Sequence, residues 1–123
     1  MIIMKQSSYQ IGVAQKDIRA LAGDHYVNVP IKVTKTNVTA SLVSGVLEAG
    51  TLITAGGKTV TSNSSTTDVY GIVFADVDFN NSKGTEVVPV MIHGFVNTAK
   101  IKLNSTTEVA AVEKAKLNMI AFL

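Results

Sequence analysis

From Tyr26 onward the chain alternates: Val27, Val29, Ile31 and Val33 fall on one face, and Asn28, Pro30, Lys32 and Thr34 on the other. That period of two is the signature of a half-buried strand. Pro30 has no N–H to give to a ladder, so this strand belongs at a sheet edge or begins there. Residues 37–49 mix small and apolar side chains around Gly45 and predict a second short strand with a loop. Residues 50–54 and 58–61, joined by Ala55-Gly56-Gly57, read as a hairpin whose glycines allow the positive φ angles of a tight turn. After a Ser/Thr/Asn loop over 62–68, Tyr70 to Ala75 is a nearly continuous apolar run, which predicts a strand covered on both faces at the centre of the core. Asn80 to Gly84 turns the chain. Glu86 to Ile92 returns as an apolar strand interrupted by Pro89, and Gly94 bends it before Phe95 and Val96 continue it.

One segment asks to be helical. Ser105 followed by Glu108 has capping-box spacing, and residues 109–117 are good helix formers with their lysines late, as the helix dipole prefers. Met119 to Leu123 then predicts a terminal apolar strand packed into the body. The first 24 residues lack such a pattern: Gln6 to Gln10 is polar, Ile11-Gly12-Val13 is a short apolar island, and turn residues follow at 20–24. They read as an extended N-terminal arm, of the kind that lays a strand against a partner's sheet edge, or as a frayed terminus followed by an ordinary edge strand. The expected fold class is therefore mainly β with one short helix. We expect a small compact β-barrel or β-sandwich-like domain over residues 25–123, preceded by the arm over 1–24.

The 123 residues suit one domain, since domains typically run to roughly 100–150 residues. Charged residues make up only 16%, so polarity comes from Ser, Thr and Asn, which favour turns and strand faces over helices. With no cysteine, a disulfide framework, a thiolate nucleophile and a thiolate-held metal are excluded. A net charge of +2 argues against nucleic acid as a partner, because phosphate-backbone binding needs clustered Lys and Arg. The charge is uneven, with residues 1–36 at +3 and the remainder at −1, so the leading segment is suited to steer toward an acidic partner. The start of the chain lacks the apolar run of a secretory signal and no stretch reaches the ~18 residues of a membrane span. A soluble protein without membrane contact is expected.

Constellations able to carry chemistry are few. Asp76 and Asp78 are two apart and would share one strand face, as paired carboxylates that bind a cation or exchange protons require, but no further oxygen ligands accompany them. Two solvated strand-end carboxylates are the simpler reading. His25 and His93 have no metal-ligand spacing and read as a turn histidine and a strand histidine. Gly56-Gly57-Lys58-Thr59 ends like a phosphate-binding loop, but Leu52 stands where that motif needs its first glycine. We expect no catalytic residue, no metal, no cofactor and no enzymatic activity.

The order of several strings nevertheless resembles a known family. Leu47-Glu48-Ala49-Gly50-Thr51-Leu52-Ile53, Tyr70 to Asp78, Val90 to Asn97 and the terminal Met119 to Leu123, with a short helix before the last, are similar to the tailed-phage head decoration (capsid cement) and head-fibre family over roughly residues 26–123. The resemblance implies a non-enzymatic virion protein, often a homotrimer, made in the host cytoplasm and bound to the major capsid protein on the outer surface of the assembled head, which it stabilises. It also implies that the leading arm reaches the capsid shell, which maps capsid binding onto Tyr9, Ile11 and Val13. The alternative is a glycan- or host-surface-binding β module of a phage structural protein, although the chain offers no Trp for an aromatic platform.

Overall fold

The computed structural model describes residues 17–21, 25–104 and 107–123. Among the described residues there are seven strands: β1 (Val27–Thr34), β2 (Val46–Leu47), β3 (Leu52–Thr54), β4 (Val69–Val73), β5 (Val77–Asp78), β6 (Thr85–Val96) and β7 (Ile120–Phe122). One short helix, α1 (Ala111–Lys116), precedes β7. The main sheet runs β1-β6-β4-β3, all antiparallel, while β7 pairs in parallel with the far end of β6, and β2 and β5 form a separate two-stranded ladder. The fold is mainly β, as the alternation predicts, but the described strands form an open sheet and not a closed barrel.

The two prolines fix the register of the outer pair. Pro30 lies directly opposite Pro89. Neither can donate, so the pair must occupy a site where each residue turns its backbone polar groups away from the other. Accordingly the Pro89 carbonyl accepts a 2.8 Å hydrogen bond from Phe74 on the β4 side. Pro30 likewise turns its missing donor outward, which places a gap in the free edge of β1 and disfavours addition of another strand there.

Burial on the sheet switches faces along β6. On one face Val88 and Val90 pack with Val33, Val73 and Ile53 beneath a cover that includes Val38, Leu47 and Phe79. On the other, Leu52, Ile72 and Met91 stand in one row across β3, β4 and β6 and pack with Ile18, Val96, Leu117 and Ile120. β4 is thus covered on both sides, as its continuous apolar run predicts. A bulge makes the switch possible: Asn28 faces Met91 and Val27 faces His93, so Ile92 is an extra residue in β6. The insertion reverses the alternation, and Met91 and Val96, five apart, face the same core. Where one face of β6 is fully covered, the other is covered less. The half near Thr85 shows Val87, 63% exposed, beside Pro30 and Lys32; the half near Val96 shows His93 and Phe95.

Two local expectations change. Helix α1 is shorter than residues 109–117, because Lys102 and Glu108 form a bridge and Leu103 N–H donates to Thr107 O at 2.7 Å, holding that stretch extended. Its first turn is capped from within: Glu113, fully buried, accepts from Ala110 N–H at 3.1 Å. Packing of the chain also begins earlier than the expected arm boundary at residue 24. Ile18 is fully buried, its carbonyl accepts from Asn97 N–H at 2.8 Å, and Ala20 N–H donates to Phe95 O at 3.0 Å. Residues 17–20 therefore extend the β1 edge along the far half of β6.

Beside Ile18, Asp17 accepts from the Arg19 guanidinium at 2.8 Å and from Arg19 N–H at 3.0 Å. These bonds, the side-chain one first, lower its pKa from 3.8 to about 2. A carboxylate depressed in this way adds stability that is present above pH 3.8 and is lost as pH falls through about 2. The pair is exposed, so the effect is small and salt-sensitive. Asp17→Asn should lower the urea midpoint slightly near neutral pH and approach the parent as pH falls below about 2, with the difference also shrinking in ~1 M salt. A difference that persists in acid would show that the ion pair is not its source.

Candidate interaction surface

The half-buried face near Val96 forms a shallow groove between two strands. Its floor and walls are His93, Gly94 and Phe95 of β6, with Asn118, Met119 and Ala121 at and before β7. Parallel pairing sets this geometry: Gly94 N–H donates to Met119 O at 3.2 Å and Leu123 N–H donates to Val96 O at 2.9 Å. The odd-numbered β7 residues therefore bond to β6, while Ile120 turns its side chain down into the core. Met119 and Leu123, 59% and 61% exposed, rim the groove on one side, and Val27, 48% exposed, lies opposite His93 on the other. None of these residues is Asp, Glu, Lys or Arg.

The chain's only two histidines meet at this face. The rings of His25 and His93 stack with centroids 5.7 Å apart and planes 19° from parallel, and His25 also stands edge-on to Phe95 at 4.9 Å. An imidazole binds a metal within its own ring plane, so near-parallel rings send their lone pairs along separate planes; the pair stacks and does not chelate. Among the described residues no group of three His, Asp or Glu is placed to hold a metal ion. On the opposite face Tyr26 stacks on Phe74 at 4.7 Å with the Arg19 guanidinium 5.7 Å from its ring centroid, closing the core there.

Asp76 and Asp78 are not a working pair. Asp76 lies before β5 and its carboxylate accepts from Ala49 N–H at 2.7 Å, while Asp78 accepts from Asn80 N–H at 2.8 Å. Each holds a different turn. Phe74 bonds at Pro89, and His93 lies four residues further along β6, about 13 Å at strand rise, so Asp76 and His93 do not converge. Asp76→Ala should cost about 1–3 kcal/mol by stranding the Ala49 N–H, whereas Asp76→Asn, which keeps an acceptor, should cost less. Urea unfolding of the two variants makes the comparison; equal losses would mean that this hydrogen bond is not what Asp76 contributes.

Tyr9, Ile11 and Val13, the residues mapped to capsid binding by family resemblance, lie outside the described residues. Sequence reasoning did not find the groove. Its residues are brought together by the bulge at Ile92 and by the parallel pairing of β7, and neither leaves a periodic signal. No protein-family model, no curated protein and no solved structure matches the chain.

Proposed function

We propose that this chain is a decoration protein of a tailed-phage head: a non-enzymatic cement that binds the major capsid protein on the outer surface of the assembled shell, associates as a trimer, and stabilises the shell. The observation that carries this reading is the shallow groove between β6 and β7, lined without Asp, Glu, Lys or Arg and rimmed by the exposed Met119, a surface suited to contact with a protein lattice. The family-like strings are consistent with it, since Leu47, Ala49, Ile72, Val90 and Val96 within them are all buried and hold the sheet that presents the groove. A cement needs no chemistry beyond preferential binding to the assembled state, because bridging neighbouring subunits shifts the equilibrium toward the intact shell. Many weak contacts then act together.

Cosedimentation of the purified protein with expanded heads of its phage tests the reading. Saturable pelleting at a fixed ratio to the major capsid protein is expected. Removal of residues 1–16 should abolish it while leaving the domain folded, because Ile18, which belongs to the core, is kept. Absence of pelleting by the full chain would overturn the proposal, and hits on a glycan array would then favour a surface-binding module of a phage structural protein. Normal pelleting by the truncated chain would remove the role of Tyr9, Ile11 and Val13.

A further inference from the structure

We propose that the stacked pair of His25 and His93 is an acid-sensitive latch, which fastens His25, just ahead of β1, to the face of β6 while at least one ring is neutral and opens when both are charged. The rings lie with centroids 5.7 Å apart and planes 19° from parallel, and Phe95 stands edge-on to His25 at 4.9 Å. One charge leaves such a stack intact, because a cation over the face of an aromatic ring is attracted to it at this range. Two charges repel across the same gap. At physiological salt the screening length of about 8 Å exceeds the ring separation, so the repulsion is felt. Protons reach both sites, since His25 is exposed and His93 half-buried.

No opposite charge offsets that repulsion among the described residues. Groove residues Gly94, Phe95, Asn118, Met119 and Ala121 beside His93 are neutral, as is Val27, which pairs with it on β1. Of the two segments that flank β6 here, residues 17–21 carry Asp17 and Arg19, which bond to each other, and the Arg19 guanidinium lies over Tyr26, whose ring packs on Phe74 on the opposite face. Neither histidine has a carboxylate within ion-pair distance. Asp24, the next residue in the sequence, lies outside the described residues and is tested by substitution. Opening is local, because β1 stays paired with β6 from Val27 onward. Since His93 lines the groove, the same protons change the surface that a partner meets there. The inference concerns the free protein and does not rest on the decoration reading.

With only two histidines in the chain, their carbon-bound ring protons can be followed singly by NMR. Nuclear Overhauser contacts between the two rings, and from His25 to Phe95, are expected at about pH 8 and should be lost at about pH 5, across the range in which imidazoles ordinarily change charge, while the β1 amide signals stay in place. At about pH 5 the contacts should return in part in ~1 M salt, where the screening length falls to about 3 Å. His93→Gln leaves a single ring to charge, so the His25 contact with Phe95 should persist at both pH values. Asp24→Asn should leave the acid response as it is. Contacts that survive about pH 5 in the parent would overturn the proposal, as would their loss in His93→Gln, or an acid response that vanishes in Asp24→Asn and so belongs to that carboxylate. No heads are involved, so failure here is distinguishable from failure of cosedimentation.

Discussion

Ile72→Ala should destabilise the protein by about 4 kcal/mol, near the upper part of the range for deleting a buried isoleucine side chain. Ile72 is fully buried, lies between Leu52 and Met91 in one row across three strands, and sits on the strand that is covered on both faces. Neighbours held in a ladder on both sides cannot collapse into the space left behind, so the cavity term adds to the lost transfer energy. Since domains are stable by only about 5–15 kcal/mol, the variant should unfold roughly 12–20 °C lower than the parent. Val87→Ala, on the bare face of the same sheet, should change stability by less than about 0.5 kcal/mol. Thermal and urea unfolding of both variants decides the matter; a loss below about 1 kcal/mol at Ile72 would mean that the centre of the core lies elsewhere.

The second large effect is expected at Gly50. Its φ is +96°, and a Cβ there would run into the carbonyl oxygen of Lys100, with Ile18 Cγ2 3.3 Å away. The backbone cannot step aside, because Gly50 N–H donates to Val73 O at 2.7 Å and Gly50 O accepts from Lys102 N–H at 2.9 Å. Gly50→Ala therefore combines a left-handed-region penalty of about 1–2 kcal/mol with overpacking of about 1–3 kcal/mol. Gly84 offers the matched control: its φ is +112°, but nothing lies within 4 Å of an added Cβ. Gly84→Ala should show the conformational penalty alone. Equal losses at the two glycines, measured by urea unfolding, would show that the Lys100 carbonyl yields and that packing at Gly50 is not limiting.

Much of the sheet was legible in the sequence because its signals are local and periodic. The alternation at 27–34, the apolar run at 70–75, the return through Pro89 and the terminal 119–123 segment correspond to β1, β4, β6 and β7. Pro30 correctly announced an edge. What stayed hidden depends on register. A single inserted residue at Ile92 decides which way His93 and Phe95 point, and no pattern of residue types marks it. Ile18 looked like part of an unpatterned arm because its burial rests on backbone bonds to Phe95 and Asn97, more than seventy positions away. For the same reason His25 and His93 read as unrelated residues although their rings stack. Glu108 drew the helix start too early because its spacing from Ser105 fits a cap, while its own contacts are with Lys102.

Strand β6 also sets the order in which the protein can be made. It pairs with β1, β4 and β7 and with the bridge at Arg19, and it contributes residues to both cores. Two of the five strands made earlier, β1 and β4, pair with it: among the described residues β1 has no other neighbour strand in the sheet, and β4 has only the short β3. Such long-range pairing makes folding slow relative to helical domains of similar size, because loop closure must precede the contacts that reward it. A growing chain therefore leaves the ribosome with β1 unpaired and one edge of β4 open until β6 has been added, and pulse-labelled amide exchange should find β6, β1 and β4 becoming protected together, in one step.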